Sequence, residues 1–157
     1  MLFRSLPLED AVALFKSGQG DFIHLPEPAA DQLIADGTAS LSVALGPVNG
    51  HIAYSSFAAT EAYLERNKET VHRFIRGYAK GLAWLHENNP ATVGDATAGF
   101  FPDVPKELII KSVTRYKEQD TWPTTPHLEQ PEYDGLQEIL IARSEEHTSE
   151  LQSRTNL

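Results

Sequence analysis

Apolar residues recur three and four apart over much of this chain, and the breaks in that spacing mark the expected element boundaries. Pro7 opens a short amphipathic helix with Leu8, Ala11, Val12 and Phe15 on one face. Glu9 and Asp10 lie in its first turn, and Gly18 is placed to end it. The run Asp21-Phe22-Ile23-His24-Leu25, bounded by Gly20 and Pro26, predicts a short buried strand. Pro26-Glu27-Pro28 starts a second helix over residues 29–35, closed by Asp36-Gly37. Residues 41–45 predict another strand, Gly46-Pro47-Val48-Asn49-Gly50 is loop chemistry, and residues 51–57 predict an extended return.

From residue 58 onward the pattern is helical. Residues 58–65 form a short helix, and Asn67 is placed to cap the strongest one. In it Val71, Phe74, Ile75, Tyr78, Ala79 and Leu82 repeat at three and four and should face a core. Pro90 begins a helix toward Ala98, and Pro105 opens another in which Leu108, Ile109, Val113 and Tyr116 can pack. Residues 122–126 are a loop, and residues 132–141 form a final amphipathic helix through Leu136, Ile139 and Leu140. No repeat of fixed period is present. The pattern is α/β first and mostly α afterwards.

The last fifteen residues, from Arg143, hold two large apolar side chains and no helical or strand period, which predicts a tail. The stretch 143–153 resembles a one-frame translation of a common DNA-sequencing adapter. On that reading residues 142–157 are non-native, and the natural sequence differs beyond Ile141.

At 157 residues the chain has the length of about one domain. Hydrophobic residues make up 41% and charged residues 22%, which excludes a disordered acidic polymer. No apolar stretch reaches the roughly 18 residues that a membrane span needs. The net charge of −9 repels nucleic-acid phosphates and anionic headgroups. Without cysteine there is no disulfide, thiolate zinc site or cysteine nucleophile. Residues 1–7 carry one cation and no apolar run of the kind a signal peptide needs, so no export signal is expected in this segment.

Four common reaction motifs are missing. His86-Glu87 lacks a histidine three residues on, and no two of His24, His51, His72, His86 and His127 stand four apart, so no helical zinc pattern forms. Gly18-Gln19-Gly20 has Ile23 in place of a third glycine and follows a helix, which makes it a turn. Neither a Gly-x-Ser-x-Gly elbow nor a phosphate-binding Gly-Lys-Ser/Thr signature is present.

Residues 6–18 from Leu6-Pro7-Leu8 to Ser17-Gly18, then Gly20-Asp21-Phe22 and Glu27-Pro28, are joined by residues 51–57 and by the run from Asn67 through Val71-His72-Arg73-Phe74 to Asn89-Pro90. Phe101-Pro102, Arg115-Tyr116 and Trp122 continue the series. In order and spacing this resembles the second lobe of periplasmic solute-binding proteins of the nitrate/sulfonate/taurine (SsuA/THI5-like, NMT1) importer family.

The resemblance implies a truncated type II periplasmic-binding-protein-like α/β fold. Residues 1–141 would be its C-terminal portion, part of lobe two followed by a helical return to lobe one. It also implies a non-enzymatic, extracytoplasmic protein without a cofactor. Such a protein captures a small organic solute for an ABC permease and ATPase, holding it between lobes that close by hinge motion. A thiamin-pyrimidine synthase of similar fold is the alternative, although the cysteine-rich run of those enzymes is absent here. A third possibility is a helical interaction domain that uses the 71–82 stripe as its partner surface.

The expected ligand contacts follow from placement. Glu27, at the entry to a helix, would suit an amine or a hydrogen-bonding heterocycle; its plain structural role is a first-turn acid stabilising its own helix. His24 alternates with Phe22 and can face the cleft. Tyr54, Ser55 and Ser56 offer hydroxyls on the crossover, and Asn49 lies in the preceding loop, where turn chemistry is its simpler role. Trp84 and Trp122 read as core or loop-anchoring aromatics.

Overall fold

The computed structural model describes the backbone of residues 6–155 and the side chains of residues 6–143. Helix α1 spans Leu8–Lys16, α2 Ala29–Ala35, α3 Leu45–Asn49, α4 Glu61–Arg66, α5 Lys68–Glu87, α6 Pro90–Thr97, α7 Lys106–Glu118 and α8 Gln130–Thr155, with a single 3-10 turn at Ala98–Phe100. No strand occurs among the described residues, so the α/β class expected above is incorrect. Residues 21–25, 41–44 and 51–57 are irregular, and Phe22 is 80% exposed where a buried strand would have covered it. The reason is physical: an apolar run becomes a strand only by pairing its backbone with another, and no such pairing forms among the described residues.

Most helices follow their local signals, but residues 46–49, expected to be loop, lie in α3. At the end of α1 the Gln19 N–H reaches the Leu14 carbonyl at 3.1 Å and the Gly18 N–H the Phe15 carbonyl at 3.0 Å, with Gly18 left-handed at φ +83°. The end of α2 repeats this through Thr38, Leu33 and Gly37. Lys16 then joins the two helix ends by donating to the Asp36 carboxylate at 2.7 Å. That bond, with two more from Thr38, holds the Asp36 pKa down to about 2. Thr60 caps α4 through the Tyr63 N–H, and Asn89 caps α6 through the Thr92 N–H at 2.9 Å. The Asn67 side chain, expected to cap α5, instead donates to the Tyr63 carbonyl and closes α4. Helix α8 runs on to Thr155 through the segment expected to be a tail. No Gly or Pro interrupts the sequence after Gly135, and Glu, Leu, Gln and Arg sustain a helix.

The chain divides into two compact units. The first takes the described residues of Met1–Ala44 and Asn88–Glu118; the second takes those of Leu45–Glu87 and Gln119–Leu157. In the first unit α7 packs against both α6 and α2. Leu33, Val93, Ile109 and Val113 form its buried apolar core. Gly94 permits the α6–α7 approach, because a Cβ there would lie 2.5 Å from Ile110 Cγ1 and 3.3 Å from Ile110 Cα. Thr97 and Thr114 turn their hydroxyls back onto the Val93 and Ile110 carbonyls of their own helices, at 2.9 and 2.8 Å.

In the second unit the 71–82 stripe of α5 is only partly covered. Leu82 is buried, Val71 and Ala79 are half-buried, and Phe74, Ile75 and Tyr78 remain exposed. Phe57, itself 71% exposed, packs edge-on against Phe74 and Tyr78 with centroids 4.8 and 5.3 Å away. The segment that leads to Phe57 lies along the start of α8: the Ala53 N–H donates to the Glu132 carbonyl at 3.0 Å, and Ile52 stands over Gly135.

The helix glycines yield opposite expectations. Gly94→Ala should destabilise the chain by about 1–3 kcal/mol through overpacking against Ile110. Gly77→Ala, where nothing lies within 4 Å of an added Cβ, should stabilise by about 0.5–1 kcal/mol through helix propensity. Urea unfolding of both variants beside the wild type checks the contrast.

Candidate functional site

The densest polar constellation lies in the first unit, where two carboxylates one helical turn apart meet two cations with the same spacing. Glu27 precedes α2 and Asp31 lies in its first turn, while Lys111 and Arg115 stand on α7. Pro28 has no side-chain acceptor to cap α2. The Glu27 carboxylate serves instead, its Oε2 accepting the Asp31 N–H at 3.0 Å. Its Oε1 accepts from Nη1 of Arg115. The second guanidinium nitrogen donates to Asp31 Oδ1 at 2.7 Å, and Lys111 Nζ lies 3.2 Å from that oxygen. The Ser112 hydroxyl lies 3.1 Å from Asp31 Oδ2 and 2.8 Å from the Leu108 carbonyl, its one proton shared between them, and the Tyr116 hydroxyl accepts the Glu27 N–H at 2.8 Å. The Glu27–Pro28 bond is cis.

Burial gives this cluster its weight. The side chain of Asp31 is 0% exposed, that of Glu27 6% and that of Arg115 17%. Burial alone would favour a neutral Arg115. Glu27 and Asp31 more than offset it and raise the guanidinium pKa above its ordinary value. Burial also raises the Tyr116 phenol, and the Glu27 charge adds to that shift. Among the described residues no buried side-chain nitrogen or oxygen lacks a hydrogen-bond partner. Two carboxylates face two cations, all tied, and the constellation joins α2 to α7.

Of the expected ligand contacts, Glu27 is part of this cluster, and its role as a helix-stabilising acid is the one seen in the geometry. The strand that was to present it and His24 does not form, and His24 is exposed on an irregular segment. Asn49, Tyr54, Ser55 and Ser56 belong to the second unit and are exposed, Tyr54 to 78%. Neither unit by itself gathers all of these side chains. Trp84 is 40% exposed and Trp122 is half-buried. Among the described residues no group of three or more His, Asp or Glu is placed to hold a metal ion, and no helix is long and apolar enough to cross a membrane.

Asp31, Lys111, Ser112 and Arg115 as a group were not anticipated from the sequence. The signal for them is the matched spacing, 27 and 31 against 111 and 115, which places complementary charges on facing turns of two helices.

This chain is similar to the Bacillus subtilis (strain 168) protein described as "Putative binding protein YtlA". The identity is 27% over 139 residues, which cover 88% of this chain and 42% of that protein. The chain thus spans less than half the length of this relative. No family profile matches the chain, and no solved structure matches it significantly. The likeness is to a binding protein and does not single out the nitrate/sulfonate/taurine family.

Arg115→Ala should destabilise the first unit by about 3–5 kcal/mol, because two buried carboxylates lose their counter-ion. Arg115→Lys should recover part of this, keeping the charge without the two-pronged geometry. Chemical denaturation of the two variants measures the difference. The raised Tyr116 pKa has a defined sign as well. The folded state holds its proton where the unfolded chain releases it, so this contribution is present below about pH 10 and is lost as pH rises above it. Tyr116→Phe should flatten the alkaline limb of a stability–pH curve.

Proposed function

We propose that the protein containing this chain is the solute-capturing component of an ABC importer. It holds a small organic solute outside the cytoplasmic membrane for delivery to a permease and its ATPase, and it carries out no covalent reaction. The observation that carries this reading is the likeness to a binding protein over 88% of the chain. The resemblance carried by residues 6–18, 27–28 and 67–90 supports the solute class: nitrate, sulfonate, taurine or a thiamin precursor. The net charge of −9 supports a small solute over a polyanionic partner. The contacts this reading assigns are His24 and Glu27 in the first unit, Glu27 bound by Arg115, and the exposed Asn49, Tyr54 and Ser55 in the second.

The test is a thermal-shift screen of the longest reading frame that contains these residues, against nitrate, taurine, alkanesulfonates and aminopyrimidines. A true solute present at one hundred times its Kd should stabilise the protein by about 2.7 kcal/mol, raising Tm by several degrees. The solute should be recovered chemically unchanged. No shift with any of the panel, or conversion of an aminopyrimidine precursor to product, would sink the proposal.

A further inference from the structure

We propose that Asn49 is a site of spontaneous deamidation. Asn49 ends the five-residue helix α3, its side chain is exposed, and Gly50 follows it at φ +72°. The reaction needs a backbone nitrogen to reach the amide carbon of the preceding side chain, and glycine alone brings no Cβ to obstruct that approach.

The chemistry balances with water as the only co-reactant. A base takes the Gly50 amide proton and the nitrogen attacks Asn49 Cγ. The new N–C bond forms as the Cγ–Nδ2 bond breaks, ammonia leaves, and a succinimide remains. Water then opens either carbonyl of the ring, leaving aspartate or isoaspartate. Nothing is oxidised or reduced, and the chain gains one negative charge.

The other described asparagines lack this combination. Asn89 is followed by Pro90, which has no N–H to become the nucleophile, and its side chain is occupied as the α6 cap. Asn67 donates to the Tyr63 carbonyl and is followed by Lys68, the first residue of α5. Asn88 is followed by the branched side chain of Asn89. One contact opposes reaction at Asn49: the Gly50 N–H donates to the Gly46 carbonyl at 3.1 Å. That bond closes a single exposed turn that also contains Pro47, and so short a helix opens readily. The inference does not depend on solute binding.

The experiment incubates the full chain at body temperature in mildly alkaline buffer, beside a synthetic peptide of residues 46–52 as the unprotected clock. Peptide mass spectrometry follows the gain of one mass unit and the splitting into aspartyl and isoaspartyl forms. Asn49 should convert at a rate within about tenfold of the peptide, a protection below about 1.4 kcal/mol. Asn67, Asn88 and Asn89 should keep their mass. Gly50→Ala should slow conversion by more than about tenfold through its added Cβ, and Asn49→Gln should leave the fragment unchanged over the same period. Conversion of Asn49 more than tenfold slower than the peptide, earlier reaction at another asparagine, or equal rates in the wild type and Gly50→Ala would each overturn the proposal.

Discussion

The first unit is organised by one constraint: Asp31 is fully buried as a carboxylate and must be answered from within the protein. Arg115 answers it and Glu27 with the two prongs of one guanidinium, Ser112 takes the remaining Asp31 oxygen, and Lys111 approaches from the more exposed side. These bonds fix the rotation of α7 against α2. That rotation leaves Ile109 and Val113 for the apolar core with Leu33 and Val93. Apolar contact alone would allow several rotations of so small a core; paired charges with defined partners allow far fewer.

The helices were legible because their determinants are local. Pro7, Asn89-Pro90, Gly18 and Gly37 each act on the residues beside them, and α2 falls on the residues the sequence indicates. The expected strands failed to form, because a strand is a relation between two segments and not a property of one. Phe22, Leu41, Val43, Tyr54 and Phe57 have the residue types of strands, yet all remain exposed. The α5 stripe shows the same limit. Its period predicted a helix correctly, but period does not show how much of a face the rest of the chain covers, and Leu82 is the only residue of that stripe to be buried.

The polar cluster was half visible. Glu27 stood out because it precedes a helix, and its function as a helix-stabilising acid was readable from that position. Its partner on α7 lies 88 residues further on, and only pairing the spacings of two distant helices would have found it. Asn49, Tyr54 and Ser55 were read as polar positions in turns and extended backbone. Asn49 instead ends helix α3, and Tyr54 and Ser55 lie on an irregular segment; all three are exposed, and no sheet among the described residues organises them.

Thr97 and Thr114 spend their hydroxyl protons on carbonyls of α6 and α7 themselves. Each threonine satisfies its own donor inside its own helix, so its neighbours meet a methyl group and an oxygen that can only accept. Neither residue then has a hydroxyl proton left to offer outside its own helix. A hydropathy profile therefore overstates the donor capacity that these two helices show to their surroundings.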